Sequence, residues 1–231
     1  MSIYAIGDLH LSGIPPAKPM DIFGAHWAGH REKIILAWRK VVQPEDLVIV
    51  CGDISWGMSL PEALPDLEAL AALPGKKVLL RGNHDYWWCS LKKMQEALGA
   101  NFFFLQNNFF PWGDMAICGS RGWMLPDWLG FTPEDEPILR REVLRLTASL
   151  EAAKKAGFEK IIAALHYPPF LMEEEPSCIR DLLEAYGVQK CVFGHIHGSE
   201  GARMVFQGRY HGVVYGLVSC DSRDFCPVLI G

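Results

Sequence analysis

Five apolar, strand-like runs in this chain each stop at a residue type that binds metals. Ile3–Ile6 leads into Gly7-Asp8-Leu9-His10, Leu47–Cys51 into Gly52-Asp53, and Val78–Leu80 into Arg81-Gly82-Asn83-His84-Asp85. Ile161–Leu165 leads into His166, and Lys190–Phe193 into Gly194-His195-Ile196-His197. Helical patterns separate the first three runs. Ile34, Ile35, Trp38 and Val41 fall at helical spacing between Trp27 and Val42. Pro61–Leu73 reads as a second helix closed by Pro74-Gly75, and Leu91–Leu98 as a third stopped by Gly99. Strand–helix–strand order at these loop lengths predicts right-handed crossovers and parallel pairing. In an open α/β sheet, function gathers where strands end. A shared edge would therefore bring the five junctions together from points far apart in the chain.

The second half changes character. Phe102–Leu105, Phe109–Trp112 and Met115–Cys118 read as short strands, with Gly113-Asp114 as a hairpin turn. A helix ends at Gly157 after Lys154-Lys155, and begins at Thr132 or, because of Pro137, a turn later. The tail returns to strand patterns at Ala202–Gln207, Tyr210–Tyr215 and Pro227–Ile230, with Gly208 near a turn. Two sheets packed face to face accommodate both halves. The expected fold is α/β, a four-layer α/β/β/α sandwich with two central mixed sheets flanked by helices. No fixed-period repeat or linker divides the sequence, so residues 1–231 are expected to form a single domain.

Half of the 231 residues are hydrophobic and 21% are charged, enough for a large core. The net charge of −5 argues against extended nucleic-acid binding, which would call for a basic surface. The seven cysteines include no C-x-x-C pair and read as free thiols of a reducing cytosol. The N-terminal apolar stretch stops at Gly7-Asp8, too early for a signal peptide. No run of about 18 apolar residues suggests a membrane span. A cytoplasmic protein is expected.

The pooled junction residues are carboxylates, imidazoles and one carboxamide, with no thiolate. That mix suits divalent Mn, Fe, Zn or Ni. Asp8 and His10, two apart on an extended segment, would share a face. His195 and His197 form a second such pair beside Gly194, and glycine permits close backbone approach. Taken in order, D-x-H, G-D, G-N-H-D, H and G-H-x-H resemble the calcineurin-like metallophosphoesterases, and within them the compact bacterial-type predicted phosphohydrolases. The motifs span Asp8 to His197. The resemblance implies a centre of two divalent metal ions. Asp8, His10 and His197 would hold one, and Asn83, His166 and His195 the other, with Asp53 bridging. It implies His84 as acid or phosphate contact, with Asp85 as its partner, and attack by a metal-bridging hydroxide on a small or nucleotide-like phosphomonoester or phosphodiester. The arginine that follows the G-D aspartate in protein Ser/Thr phosphatases is absent from Gly52-Asp53-Ile54-Ser55-Trp56-Gly57. That turns the expectation away from phosphoprotein substrates.

Trp56, Tyr86, Trp87, Trp88, Trp123, Trp128 and Tyr167 form an aromatic group, several of whose members directly follow ligand motifs. Of these, Trp87 and Tyr167 are candidates to wall a pocket for a flat leaving group. Arg121 is a candidate cation for a substrate phosphate. His26 and His30 lie one helical turn apart, on a solvated face or in contact with substrate. The alternative functions are a nuclease acting on single-stranded nucleic acid ends and a non-catalytic metal-binding scaffold of the same fold.

Overall fold

The structure, a computed structural model, describes residues Met1–Gly231. Eleven strands form two mixed sheets. The first has β1 (Ile3–Ile6), β2 (Leu47–Cys51), β3 (Lys76–Leu80) and β4 (Phe102–Leu105) in parallel, with β11 (Val228–Leu229) antiparallel on the outer edge of β1. The second runs in the order β5 (Phe109–Trp112), β6 (Met115–Ser120), β7 (Lys160–Leu165), β8 (Lys190–Phe193), β10 (Val213–Leu217), β9 (Gly208–Tyr210). Its inner four strands are parallel and its two edges are antiparallel hairpins.

Alternation along the strands divides the core into three layers. Ile3, Ala5, Leu47, Ile49, Val78 and Leu80 meet Ile117, Ile162, Ala164 and Val192 between the sheets. The alternate residues Ile6, Val48, Val50 and Leu79 face Ile34 and Trp38 of α1 (His30–Val41), Leu67 of α2 (Leu60–Ala71) and Met94 of α3 (Leu91–Leu98). Across the molecule, Ala163, Leu165, Cys191 and Phe193 face Leu146 of α4 (Glu136–Lys155) and Leu183 of α5 (Cys178–Ala185). Two mixed sheets flanked by helices are the architecture expected from the sequence.

Local departures have local causes. The helix expected from Trp27 starts at His30, because Gly29 sits at φ 63° and two 3₁₀ turns precede it. The strand expected over Ala202–Gln207 is instead α6 (Gly198–Met204), followed by Val205, which is buried. Ala202, Arg203 and Met204 are good helix formers, and of the stretch Ala202, Val205 and Phe206 pack on the core. The expected strand Tyr210–Tyr215 is broken at His211, φ 44°, into the β9–β10 hairpin. Helix α4 begins at Glu136, with Pro137 in its first turn where a missing N–H costs nothing. Helix α5 was not expected. Ser177 caps it by accepting from the Arg180 N–H at 3.0 Å.

Candidate metal centre

Every ligand-bearing junction follows the C-terminal end of a parallel strand. Asp8 and His10 follow β1, Asp53 follows β2, Asn83 and His84 follow β3, His166 follows β7, and His195 and His197 follow β8. Backbone hydrogen bonds stitch these ends together. The N–H of Asp8 donates to Gly52 O and that of His10 to Asp53 O, while Gly194 N–H donates to His166 O.

The backbone is strained where the site is made. Asp8 (φ 59°), His10 (φ 46°), Asp53 (φ 52°) and His195 (φ 72°) all lie in the left-handed region. For a non-glycine residue this is a local cost that the surrounding fold must hold in place. Asp8 and His10 therefore share a face through a tight turn, not through the extended segment expected. The glycines explain how closely the carboxylates pack. A Cβ on Gly82 would lie 2.0 Å from Asp53 Oδ1, and one on Gly194 2.4 Å from Asp8 Oδ2.

The side chains converge. His10 Nε2 lies 3.4 Å from His197 Nε2 and 3.8 Å from Asp53 Oδ2. Asp8 Oδ1 is 3.8 Å from His197 Nε2 and 3.9 Å from His166 Nδ1. His166 Nε2 is 3.6 Å from Asp53 Oδ2 and 2.6 Å from Asn83 Oδ1, which also lies 3.1 Å from His195 Nδ1. Ligand atoms of Asp8, His10 and His197, and separately of Asp8, Asp53 and His166, all fall within 4.8 Å of one another. Asp8 and Asp53 are buried, and their only cationic-type neighbours within ion-pair distance are histidines. Two buried carboxylates facing imidazoles, with no lysine or arginine to neutralise them, fit a divalent cation.

The electrostatics of the metal-free protein agree. Burial pushes the Asp8 carboxyl up to about 8, with the Asp53 charge adding to the effect and His197 opposing it. Burial also raises Asp53 and lowers His10, and it takes His166 down to about 3 and His195 to about 2. These two rings are neutral at any physiological pH, the state in which an imidazole can bind a metal. In His197, burial alone would lower the ring. The Asp221 hydrogen bond and the charges of Asp8, Asp221 and Asp53 outweigh it and raise the ring to about 9.

Asp221 is the residue that sequence reasoning missed. Its Oδ1 lies 3.1 Å from His197 Nδ1, and its Oδ2 accepts from Gly198 N–H at 2.8 Å. This fixes the ring so that Nε2 faces the centre. The signal was present, since β10 and Val218 after it lead into Ser219-Cys220-Asp221, a sixth apolar run followed by a carboxylate. His30 was left without a definite role. It is buried, and its Nε2 lies 3.2 Å from His10 O, bracing the first ligand turn.

Two expectations are corrected. Asp85 does not orient His84. Its Oδ2 accepts from the N–H groups of Asp53 and Gly82, and its Oδ1 from Ile54, Ser55 and the Trp87 indole. His84 Nδ1 is buried with no hydrogen-bond partner. His84 belongs to the loop after β3. It lies in a bend, and its N–H donates to Asp53 Oδ1 at 2.8 Å. Trp87 is 1% exposed, so it cannot touch substrate as expected. Tyr167 is buried, with its ring 4.0 Å from that of His195 as a backstop. Arg121 pairs with Glu142 at 3.5 Å and lies over Trp123. Its carbonyl accepts from both His166 and Tyr167 N–H.

Residues 1–199 match the calcineurin-like phosphoesterase family. The chain belongs to that family. This metallophosphoesterase is therefore a metal-dependent phosphoester hydrolase by family, acting on phosphate esters. It has no helix long and apolar enough to cross a membrane. Among solved structures it is similar to the phosphopantetheinyl hydrolase of Mycobacterium tuberculosis, at 14% identity and TM-score 0.59 over 99% of this chain and 95% of that one. It is also similar to the calcineurin-like phosphoesterase YfkN of Bacillus subtilis, at 17% identity and TM-score 0.53 over 95% of this chain and 81% of that one. At these identities the likeness concerns the fold. No curated protein matches the chain.

Proposed function

We propose that this metallophosphoesterase hydrolyses a small or nucleotide-like phosphate ester at a centre of two divalent ions. Asp8, His10 and His197 would hold one ion. Asn83, His166 and His195 would hold the other, with Asp53 shared. The single observation that carries this reading is the convergence of Asp8 and Asp53 with four histidines and Asn83 at one strand-end edge, with four of the residues held in left-handed backbone. An all-oxygen and nitrogen donor set suits Mn, Fe, Zn or Ni. Bound there, such ions would supply charge neutralisation for phosphate oxygens and a nucleophile at neutral pH.

The remaining work falls to the chain's own side chains. His84 stands at the mouth of the centre, half-buried, with its ring 4.5 Å from Trp56 and 5.9 Å from His10. Its backbone N–H is committed to Asp53, so the loop fixes the ring's position without a partner on Nδ1. In this place it would steady charge on a phosphate oxygen or pass a proton to the leaving oxygen. Tyr167 and Trp56 back His195 and His10 and keep water from the rear of the rings. The test is metal analysis of the purified protein together with a panel of mono- and diesters. Two metals per chain and turnover that Asp53→Asn removes along with metal retention are expected. Full turnover with two tightly held ions in that variant would refute the shared-ligand assignment.

A further inference from the structure

Two clefts meet at His84. The first, of ≈ 400 Å³, runs from His10 and His197 along Trp56 to Phe23, His26 and Trp27. The second, of ≈ 510 Å³, runs from His84 along the same Trp56 to Lys18, Met58 and Tyr86. Trp56 and His84 line both, so they form the wall between them. The two clefts differ in chemistry. In the first, Phe23 is 58% exposed although it is aromatic, and Trp27 packs its ring 5.8 Å from that of His197. In the second, the Lys18 ammonium sits 3.2 Å from the Trp56 ring centroid and makes no ion pair. The acidic residues of that cleft are engaged elsewhere. Glu62 accepts from Met58 N–H and Ser59 Oγ, while Asp66 pairs with Arg31 and accepts from Ser55 and Gly13.

We propose, building on the hydrolase reading above, that the substrate is a phosphodiester with two unlike arms. A flat or apolar arm lies in the Phe23–Trp27 cleft and an anionic arm on the Lys18–Tyr86 side, with the phosphorus at His84 between them. A monoester has one arm and would leave one cleft without a ligand. An aromatic ring stacks favourably on exposed aromatic side chains. A free ammonium held on an indole face is a site for a second negative group. Hydrolysis then forms one bond from water oxygen to phosphorus and breaks one ester bond. One arm leaves as the alcohol with a proton, and the other remains as a monoester.

The Mn²⁺-loaded protein is assayed with bis(p-nitrophenyl) phosphate, p-nitrophenyl phosphate, and the p-nitrophenyl ester of thymidine 5′-phosphate with and without a 3′-phosphate. Diester over monoester kcat/KM should exceed about 10, in line with one stacked ring. Phe23→Ala should lower kcat/KM for both nitrophenyl esters about 5-fold or more, and Lys18→Ala should abolish the gain from the 3′-phosphate. Both side chains are exposed, so neither variant threatens the fold. A second readout needs no turnover. Calorimetry on EDTA-treated protein should find diphenyl phosphate bound more tightly than diethyl phosphate, which has the same charge and no ring, with the difference lost in Phe23→Ala. A preference for monoesters, or rates that neither variant moves, overturns the two-arm proposal and leaves the hydrolase reading intact. A protein that binds metal but cleaves no ester refutes the hydrolase reading, and equal affinity for diphenyl and diethyl phosphate then refutes the aromatic cleft separately.

Discussion

Replacing Asp8 by Asn should stabilise the metal-free protein while removing a metal ligand. The carboxyl is fully buried and raised from the ordinary 3.8 to about 8, chiefly by burial. A raised folded value means that the fold favours the neutral acid. The penalty is absent below the unfolded value, near pH 4, and grows until pH passes about 8. At pH 7 the gap amounts to roughly 3 units at about 1.4 kcal/mol each, on the order of 4 kcal/mol. Asparagine has the same shape, which matters because Gly194 packs against Oδ2. It keeps one acceptor oxygen for His195 N–H, which donates to both Asp8 oxygens at 3.0 Å, and turns an amide NH₂ toward that donor in place of the other. That mismatch costs about 1–3 kcal/mol, leaving a net gain on the order of 1–3 kcal/mol. For a chain of this length the gain corresponds to a rise in Tm of about 2–10 °C. The assay is differential scanning calorimetry of EDTA-treated wild type and Asp8→Asn at pH 7, repeated with Mn²⁺. Saturating metal should raise the wild-type Tm, by about 2.7 kcal/mol of stability at a hundredfold excess over Kd, and should leave the variant nearly unmoved. A metal-free variant that melts below wild type, or one that gains equally from Mn²⁺, would refute the assignment of Asp8 as a buried carboxylate held for a cation.

Other consequences follow from the same geometry. Asp221→Ala should weaken metal binding about 10–100-fold, because the ring of His197 loses its anchor; metal titration by calorimetry measures it. His84→Ala should lower kcat by ~10²–10⁴-fold with metal content near wild type, and the deficit should shrink for esters with acidic leaving groups. Asp8 at about 8 and His197 at about 9 hold protons at pH 7 that a metal must displace. Metal affinity should therefore rise from pH 6 to pH 8 with release of about two protons near pH 7, read from binding enthalpies in buffers of different ionisation enthalpy.

The fold was legible because its signals are local and repeated. Apolar runs such as Leu47–Cys51 are buried on both faces and read as parallel strands without ambiguity. The junction residues were legible because chemistry-bearing types end those runs, and parallel strands bring their ends to one edge. What the sequence hid was the work each side chain does. Asp85 follows His84 in sequence and was taken for its partner, yet it points inward. Trp87 looked like a pocket wall because it adjoins the motif, but a bend buries it. The cleft over the centre comes from Met20–Trp27, whose 3₁₀ turns carry no periodic signal and whose Phe23 and Trp27 read as ordinary aromatics. The Asp221 junction was readable in form. The strand pattern in the sequence stops at Tyr215, whereas β10 continues to Leu217 and so toward Asp221.

Asp85 offers a direct way to tell a structural carboxylate from a catalytic one. It gathers four backbone N–H groups and one indole N–H from two ligand loops, with donor distances of 2.8–3.3 Å. Burial and the Asp53 charge push it up to about 6, and the N–H bonds from Gly82, Ile54 and Ser55 restrain the shift. Asp85 thus remains largely ionised at pH 7 as the knot between the β2 and β3 loops. Asp85→Ala would leave several buried donors without acceptors, each costing about 1–3 kcal/mol, and should not yield folded protein. Asp85→Asn keeps one acceptor oxygen but turns an amide NH₂ toward N–H donors. It should lower stability by about 2–4 kcal/mol, loosen Asp53, and lose metal and activity in step. A residue that merely tuned His84 would behave differently, with lower kcat, full metal content and an unchanged melting temperature. Measuring the three together on Asp85→Asn separates the roles, and a drop in kcat alone would show that Asp85 serves the chemistry after all.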